Sequence, residues 1–276
     1  MNKDKKTLNG LLQDRYGYSH PLPFNLNETL ETLLNHYSVR SYSSKVLPKN
    51  TVELLVAAAQ SASTSSNLQT WSLVSIENFD RKNRLASLAG NQEHIRSCPL
   101  FLVWLADLSR LELLGEKRNL PYEGLQYLEL LTVGMIDAAL AAQNAAIAAE
   151  SLGLNIVYIG GIRNNPEAVA TELALPPRIF PVFGMCVGYA EKNTGGSIKP
   201  RLPQAAVLHH EQYDQNASSK ATDMYCKTMN QFYLQQNMKT NGDWGQHSLH
   251  RIRGPESLSG RDKMMASLKN LGFKLL

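Results

Sequence analysis

The run Asp137-Ala-Ala-Leu-Ala-Ala-Gln-Asn-Ala-Ala-Ile-Ala-Ala-Glu150 decides how the rest of the chain is read. Alanine is the strongest helix former, since it gives up no side-chain entropy on folding. Small side chains around most of the circumference let neighbouring backbones approach closely. Such a helix suits a central, buried position, or a subunit interface. The pattern predicts a helix from Tyr122 to Leu152, ~45 Å long if continuous, ended by Gly153 in the manner of a C′ glycine.

Downstream, Asn155–Ile159 is predicted as a strand running into Gly160-Gly161, Pro166–Leu175 as a helix and Phe180–Gly188 as a strand. Upstream, the continuous apolar run Pro99–Ala106 reads as a buried strand and Trp71–Ile76 as another. Helices are predicted over Phe79–Ala89, over Pro48–Ser61, and from Asn25 or Asn27, both competent N-caps, to about His36. Residues 1–24 are polar and punctuated by Gly17, Pro21 and Pro23, and are expected to form an irregular leader. Past Pro203 the alternation weakens. Helices are expected there only at Ala221–Gln235 and Asp262–Asn270, and residues 205–276 are expected to be an arm too poor in apolar residues for a core of its own. The fold class is α+β: one domain over residues 25–276, with a mixed central sheet flanked by helices and an extended C-terminal arm.

The 276 residues carry a formal charge of +4, spread along the chain. No basic stripe interleaved with aromatics points to nucleic acid. No stretch approaches the ~20 apolar residues of a membrane span, and no apolar h-region follows the first lysines, so no signal peptide is read. Cys98, Cys186 and Cys226 lie far apart without a C-x-x-C pair, as expected of reduced thiols in a cytoplasmic protein. P-loop, H-E-x-x-H, G-x-S-x-G and Rossmann glycine patterns are all absent.

What remains is a set of polar clusters at the ends of apolar elements, where binding residues concentrate. In His36-Tyr37-Ser38-Val39-Arg40 an extended backbone turns His36, Ser38 and Arg40 to one side, an anion cradle or a surface loop after a helix. Ser65-Ser66-Asn67-Leu68-Gln69 offers many donors and acceptors; a solvated loop would look the same. Gln92 stands in Gly90-Asn-Gln-Glu-His94 and says little alone. In Tyr158-Ile159-Gly160-Gly161-Ile162-Arg163-Asn164 paired glycines leave a strand, allowing a flat ligand against the backbone or merely a tight turn. Lys199-Pro-Arg201-Leu-Pro203 holds two cations on one side of a stiff segment, a second anion site or a solvated basic loop.

Taken in order, the four of these motifs other than Gln92 closely resemble the flavin-reductase and oxygen-insensitive major nitroreductase branch of the nitroreductase superfamily. The similarity runs from about Asn27 to the C-terminus. The resemblance implies an FMN-dependent NAD(P)H oxidoreductase working as a cytoplasmic homodimer. Hydride passes from NADPH, with NADH also used, to FMN N5 and then to a small acceptor: a flavin, a quinone or a nitroaromatic. It implies that His36, Ser38, Lys199 and Arg201 hold the FMN phosphate, with Tyr37 and Val39 in the same segment, and that Arg40 sits at N1/O2. Ser65, Ser66, Asn67 and Gln69 would reach the flavin from the other subunit, and Gln92 would meet the ring's polar edge. Tyr158 and Ile159 lead into Gly160 and Gly161, one of whose N–H groups would face N5. No side-chain acid, base or nucleophile is implied, because the flavin carries the chemistry. Relatives that prefer NADPH place an arginine pair before the tryptophan matching Trp244; here only Lys239 is basic there, and Arg261 is the further candidate for NAD(P)H. An FMN carrier or redox sensor without efficient turnover is the alternative. The superfamily's flavin-fragmenting and dehalogenating enzymes fit less well, since the Lys-Pro-Arg-Leu-Pro segment belongs to the reductase branch.

Overall fold

The computed structural model describes residues 6–192, 196–240 and 242–276. Its first element corrects the irregular leader. Helix α1 (Leu8–Tyr16) is capped by Thr7, which accepts from the Gly10 N–H, and stopped by Gly17 at a left-handed φ of 75°. Leu8, Leu11 and Leu12 share its buried face; Asn9 and Gly10 interrupt that spacing and hide it in the sequence. Helix α2 (Glu28–Asn35) starts after Asn27, whose side chain accepts from the Leu30 N–H.

Next come α3 (Thr51–Gln60), β1 (Trp71–Ile76), α4 (Phe79–Leu88), α5 (Glu93–Ser97), β2 (Leu100–Asp107) and α6 (Ser109–Arg118). They are followed by α7 (Leu128–Ser151), β3 (Asn155–Ile159), α8 (Pro166–Glu172) and β4 (Ile179–Gly188). The tail holds α9 (Gln215–Gln235), α10 (Trp244–Arg251) and α11 (Met264–Asn270). The central helix is thus shorter than its pattern suggests. Residues Glu123–Gln126 form a separate 3-10 turn, and Tyr127 is extended, so α7 proper has 24 residues. Helix α10 went unread although Asp243 and Gln246 make a reciprocal capping box, a pattern visible in sequence.

The strands order as β1-β2-β4-β3, and every described pairing is antiparallel rather than mixed. The β3–β4 connection, residues 160–178 with a 3-10 turn and α8, is long enough for either strand sense, so the apolar runs alone do not fix direction. Ala141, Ala142, Ala145, Ala146 and Ala149 of α7 pack with Leu55 and Ala59 of α3, Leu100, Leu102 and Trp104 of β2, and Met185 and Val187 of β4. Small residues are what permit this. A Cβ on Gly134 would lie 3.1 Å from both the Ala106 Cβ and the Thr70 carbonyl oxygen. Each fully buried large apolar side chain contributes roughly 1.5–3 kcal/mol, so the sheet and α7 form a robust scaffold. By length and composition α7 could cross a membrane, contrary to the sequence reading, but half of its apolar window is buried inside the protein. It is a core helix.

The described residues gather into two compact units. One comprises residues 38–192 with Leu258–Leu276 and contains the sheet and α7. The other comprises residues 6–37 with Gly196–Ser257. The tail is not coreless: Tyr225, Met229, Phe232 and Tyr233 of α9 form a buried cluster, with Leu202 and Trp244 packed against it. Aromatics at helical spacing among polar residues, which average composition obscures, make this small core.

Candidate functional site

In the sheet unit, residues 38–42 run beside the edge strand β3. The Val39 N–H donates to the Ile156 carbonyl at 3.0 Å, and Tyr42 makes an isolated antiparallel bridge to Ala190. Val39 is buried while Ser38 and Arg40 are exposed, so the alternation expected from sequence is present. The Tyr42 hydroxyl donates to the Val39 carbonyl at 2.8 Å, and burial pushes its pKa up, keeping it neutral. Arg40 lies near enough to His94 to act on it. Burial first, and then Arg40, hold the His94 imidazole below its usual range, with Glu93 opposing.

Beyond β3, Gly160–Asn164 make a 3-10 turn. The two glycines serve different ends. A Cβ on Gly161 would stand 2.3 Å from the Ala89 carbonyl oxygen and 2.6 Å from Gln92 Nε2, so this position is glycine for packing, and it brings Gln92 alongside. A Cβ on Gly160 would meet nothing closer than 3.5 Å, and its nearest neighbours are guanidinium nitrogens of Arg163 and Arg261. Arg163 donates to the Val182 carbonyl, and Arg261 donates through Nε to the Leu258 carbonyl at 2.9 Å. Burial, then Arg261, lower the Arg163 pKa. Neither arginine pairs with a carboxylate among the described residues. Two cations therefore converge on a bare backbone, an arrangement that costs energy without an anionic or electron-rich visitor. Arg163 belongs to the Tyr158–Asn164 motif, but nothing in the sequence sets it beside Arg261. Ile159 is buried, so its side chain faces the core. The half-exposed Tyr158 stacks edge-on against Phe183 at 5.3 Å and donates to Gln143 at 3.3 Å.

The Ser65–Gln69 loop is exposed at Ser65, Ser66, Asn67 and Gln69. Ser66, Asn67 and Gln69 all adopt positive φ, at 49°, 55° and 51°, which costs non-glycine residues energy and persists only when the surroundings impose it. What imposes it is Asp137 of α7, 1% exposed. Its carboxylate accepts from the Thr64 hydroxyl at 2.5 Å and, at 3.1 Å each, from the Ser65 N–H, the Thr70 N–H and the Thr70 hydroxyl. The Gln69 N–H in turn donates to Thr64 Oγ1 at 3.0 Å. The sequence reading passed over Asp137 as one more helical residue. The signal was there: a lone carboxylate between Gly134, Ala138 and Ala141 lies on the core face, and a buried charge needs donors. Gln69 also lines a cleft of about 540 Å³ along the β1 edge, with Trp71, Ser72 and Arg110.

In the other unit, His36 follows α2, and the Lys199–Arg201 segment is fixed by main-chain bonds. The Tyr225 hydroxyl donates to the Pro200 carbonyl at 2.8 Å, and Arg201 Nη1 donates to the Lys199 carbonyl at 3.0 Å. Lys199 and Arg201 are exposed. Tyr37 lines a polar cleft of about 560 Å³ together with Gln13, Asn35 and Gln231; His36, Lys199 and Arg201 do not line it. Lys239 is exposed, just past α9. The three cysteines are free thiols.

Against known proteins, residues 33–189 match the model described as Nitroreductase family, and residues 199–276 match Nitroreductase family, C-terminal domain. A Bacillus subtilis (strain 168) protein named FMN reductase (NADPH) is 42% identical over 220 residues, 79% of this chain and 86% of its own length. The NfrA1 nitroreductase structure from B. subtilis superposes with a TM-score of 0.83 at 37% identity, covering 90% of this chain and 99% of that one. The NADPH:FMN oxidoreductase of Vibrio harveyi complexed with NAD+ gives a TM-score of 0.79 at 32% identity, covering 90% and 99%.

Proposed function

The chain belongs to the nitroreductase family, and on that footing we propose that it is an FMN-dependent NADPH oxidoreductase, acting in the cytoplasm as a homodimer on small acceptors. The observation that carries the reading is the bare backbone at Gly160 under the converging guanidiniums of Arg163 and Arg261. A flavin fits this donor set: an aromatic ring tolerates close backbone, and a reduced flavin is anionic, which offsets the two cations. Bound there, FMN would supply the redox chemistry, hydride acceptance from NADPH and electron donation to the acceptor.

The chain's own residues bind and tune. His36, Ser38, Lys199 and Arg201 hold the phosphate through charge-assisted hydrogen bonds. Arg40 supplies positive charge at N1/O2, and the Gly160–Gly161 backbone and Gln92 border the ring. Ser65, Ser66, Asn67 and Gln69, exposed in one chain, contact the flavin held by its partner. Arg261 and Arg163 orient electron-rich substrates at the reacting edge. Lys239 meets the NADPH 2′-phosphate; a lysine offers a point charge without arginine's bidentate fork, so NADPH is favoured over NADH only modestly. No observation favours the carrier reading.

The test is retention of flavin. Purified protein should carry roughly one FMN per chain. Lys199→Ala with Arg201→Ala should weaken FMN binding by about a hundredfold, two charge-assisted contacts at ~1.5 kcal/mol each. Protein that binds no added FMN would sink the proposal.

A further inference from the structure

We propose that Arg15, on the leader helix α1, is a positioning residue for the FMN phosphate; this rests on the phosphate reading of His36, Lys199 and Arg201 given above. The leader lies outside the segments that match the family models, which begin at residue 33. Yet its Arg15 is 8% exposed and bonded to both cationic segments at once. Its Nη2 donates to the Leu34 carbonyl at 2.7 Å and to the His36 carbonyl at 2.9 Å. Its own carbonyl accepts from the Arg201 N–H at 2.8 Å. One residue therefore fixes the main chain at His36 and at Arg201, whose side chains are separated by more than 160 positions in sequence.

The rest of α1 stiffens this bracket. The Tyr16 hydroxyl accepts from Gln204 Nε2 at 3.1 Å, just past the Lys199–Pro203 segment. Gly17 ends the helix at φ 75°, where a Cβ would lie 2.5 Å from the Thr228 methyl group. Both side-chain bonds leave a single nitrogen, Nη2; a lysine ammonium has donors enough for both carbonyls but a different reach. Arg15 touches main chain rather than ligand, so it acts through His36 and Arg201.

The discriminating experiment compares FMN with riboflavin, which has the same ring without the phosphate. Full-length wild type, Arg15→Ala and Arg15→Lys are stripped of flavin and titrated with each. Arg15→Ala should weaken FMN binding at least about tenfold, one charge-assisted hydrogen bond's worth, and leave riboflavin affinity unchanged. Arg15→Lys should fall between, and it carries the test if the alanine variant does not fold. Equal loss of both ligands, or loss of neither, would overturn the proposal. The Lys199→Ala/Arg201→Ala double variant separates the two claims. If it weakens FMN selectively while the Arg15 variants do not, only the Arg15 role falls; if it shows no selectivity, the phosphate reading falls and the Arg15 role with it.

Discussion

The Ser65–Gln69 loop and the Lys199–Arg201 segment are both short polar displays, and they are held in different ways. The first hangs on a buried anion, Asp137, seated in a core helix of the sheet unit. The second is tied through the main-chain carbonyl of Arg15, which accepts from the Arg201 N–H, on a nine-residue leader helix in a unit whose apolar cluster has four buried members. Each display depends on one residue far away in sequence. The difference is in the foundations: α7 is anchored by the main core, whereas α1 is held by three buried leucines and by hydrogen bonds within the smaller unit.

The largest expected effect comes from removing the first anchor. Asp137→Asn leaves an N–H₂ facing donors whichever way the amide turns, because all four partners donate to the carboxylate as it stands. Urea unfolding should show a loss of about 3 kcal/mol, the cost of two or so orphaned buried donors. Unchanged stability would mean that the loop is fixed by something else. Gly161→Ala should cost about 2–3 kcal/mol through overpacking against the Ala89 carbonyl, and the same denaturation curves check it. Gly160→Ala, where a Cβ would make only ordinary contacts of 3.5 Å or more, should cost much less; equal losses would erase the distinction drawn between the two glycines.

A third test bears on the foundations. Met229→Ala removes a side chain 1% exposed in the small cluster and should cost about 2–4 kcal/mol. Hydrogen exchange should show the α9 amides speeding up while those of β2 keep their protection, since stability is local. Uniform acceleration would mean that the two units unfold as one. The smallest effect is acidic. His94 has its folded pKa below the unfolded 6.5 through burial and Arg40, so the native state resists its protonation. Its contribution is intact above 6.5 and lost as pH falls below that value towards the folded pKa. His94→Gln should flatten this acid-side decline in unfolding midpoints by a small margin, and an unaltered profile would remove His94 from the account.

The displays were legible in the sequence and the anchors were not. Strands Trp71–Ile76 and Asn155–Ile159 could be read directly, because short segments rich in β-branched and aromatic residues between turn residues have few alternatives. The polar clusters around Arg40, Asn67, Gly160 and Lys199 stood out against them. Asp137 did not, because a carboxylate in an alanine-rich helix looks solvated until its face is known. Arg15 did not, because Asn9 and Gly10 mask the short helix that carries it. Arg163 was in view, yet only the fold brings it beside Arg261, about a hundred positions later in the chain. Strand direction was not legible for a related reason: a connection as long as that between β3 and β4 permits either sense, and the apolar runs look the same in both.

Function is tested most directly by mixing the purified, FMN-loaded protein with NADPH anaerobically in a stopped-flow spectrometer. Rapid bleaching of the bound flavin by one equivalent of NADPH is expected, with recovery of the oxidised spectrum when a quinone or nitroaromatic is added. A flavin that stays oxidised, or bleaches only over many minutes, would contradict the oxidoreductase reading and leave an FMN carrier in its place.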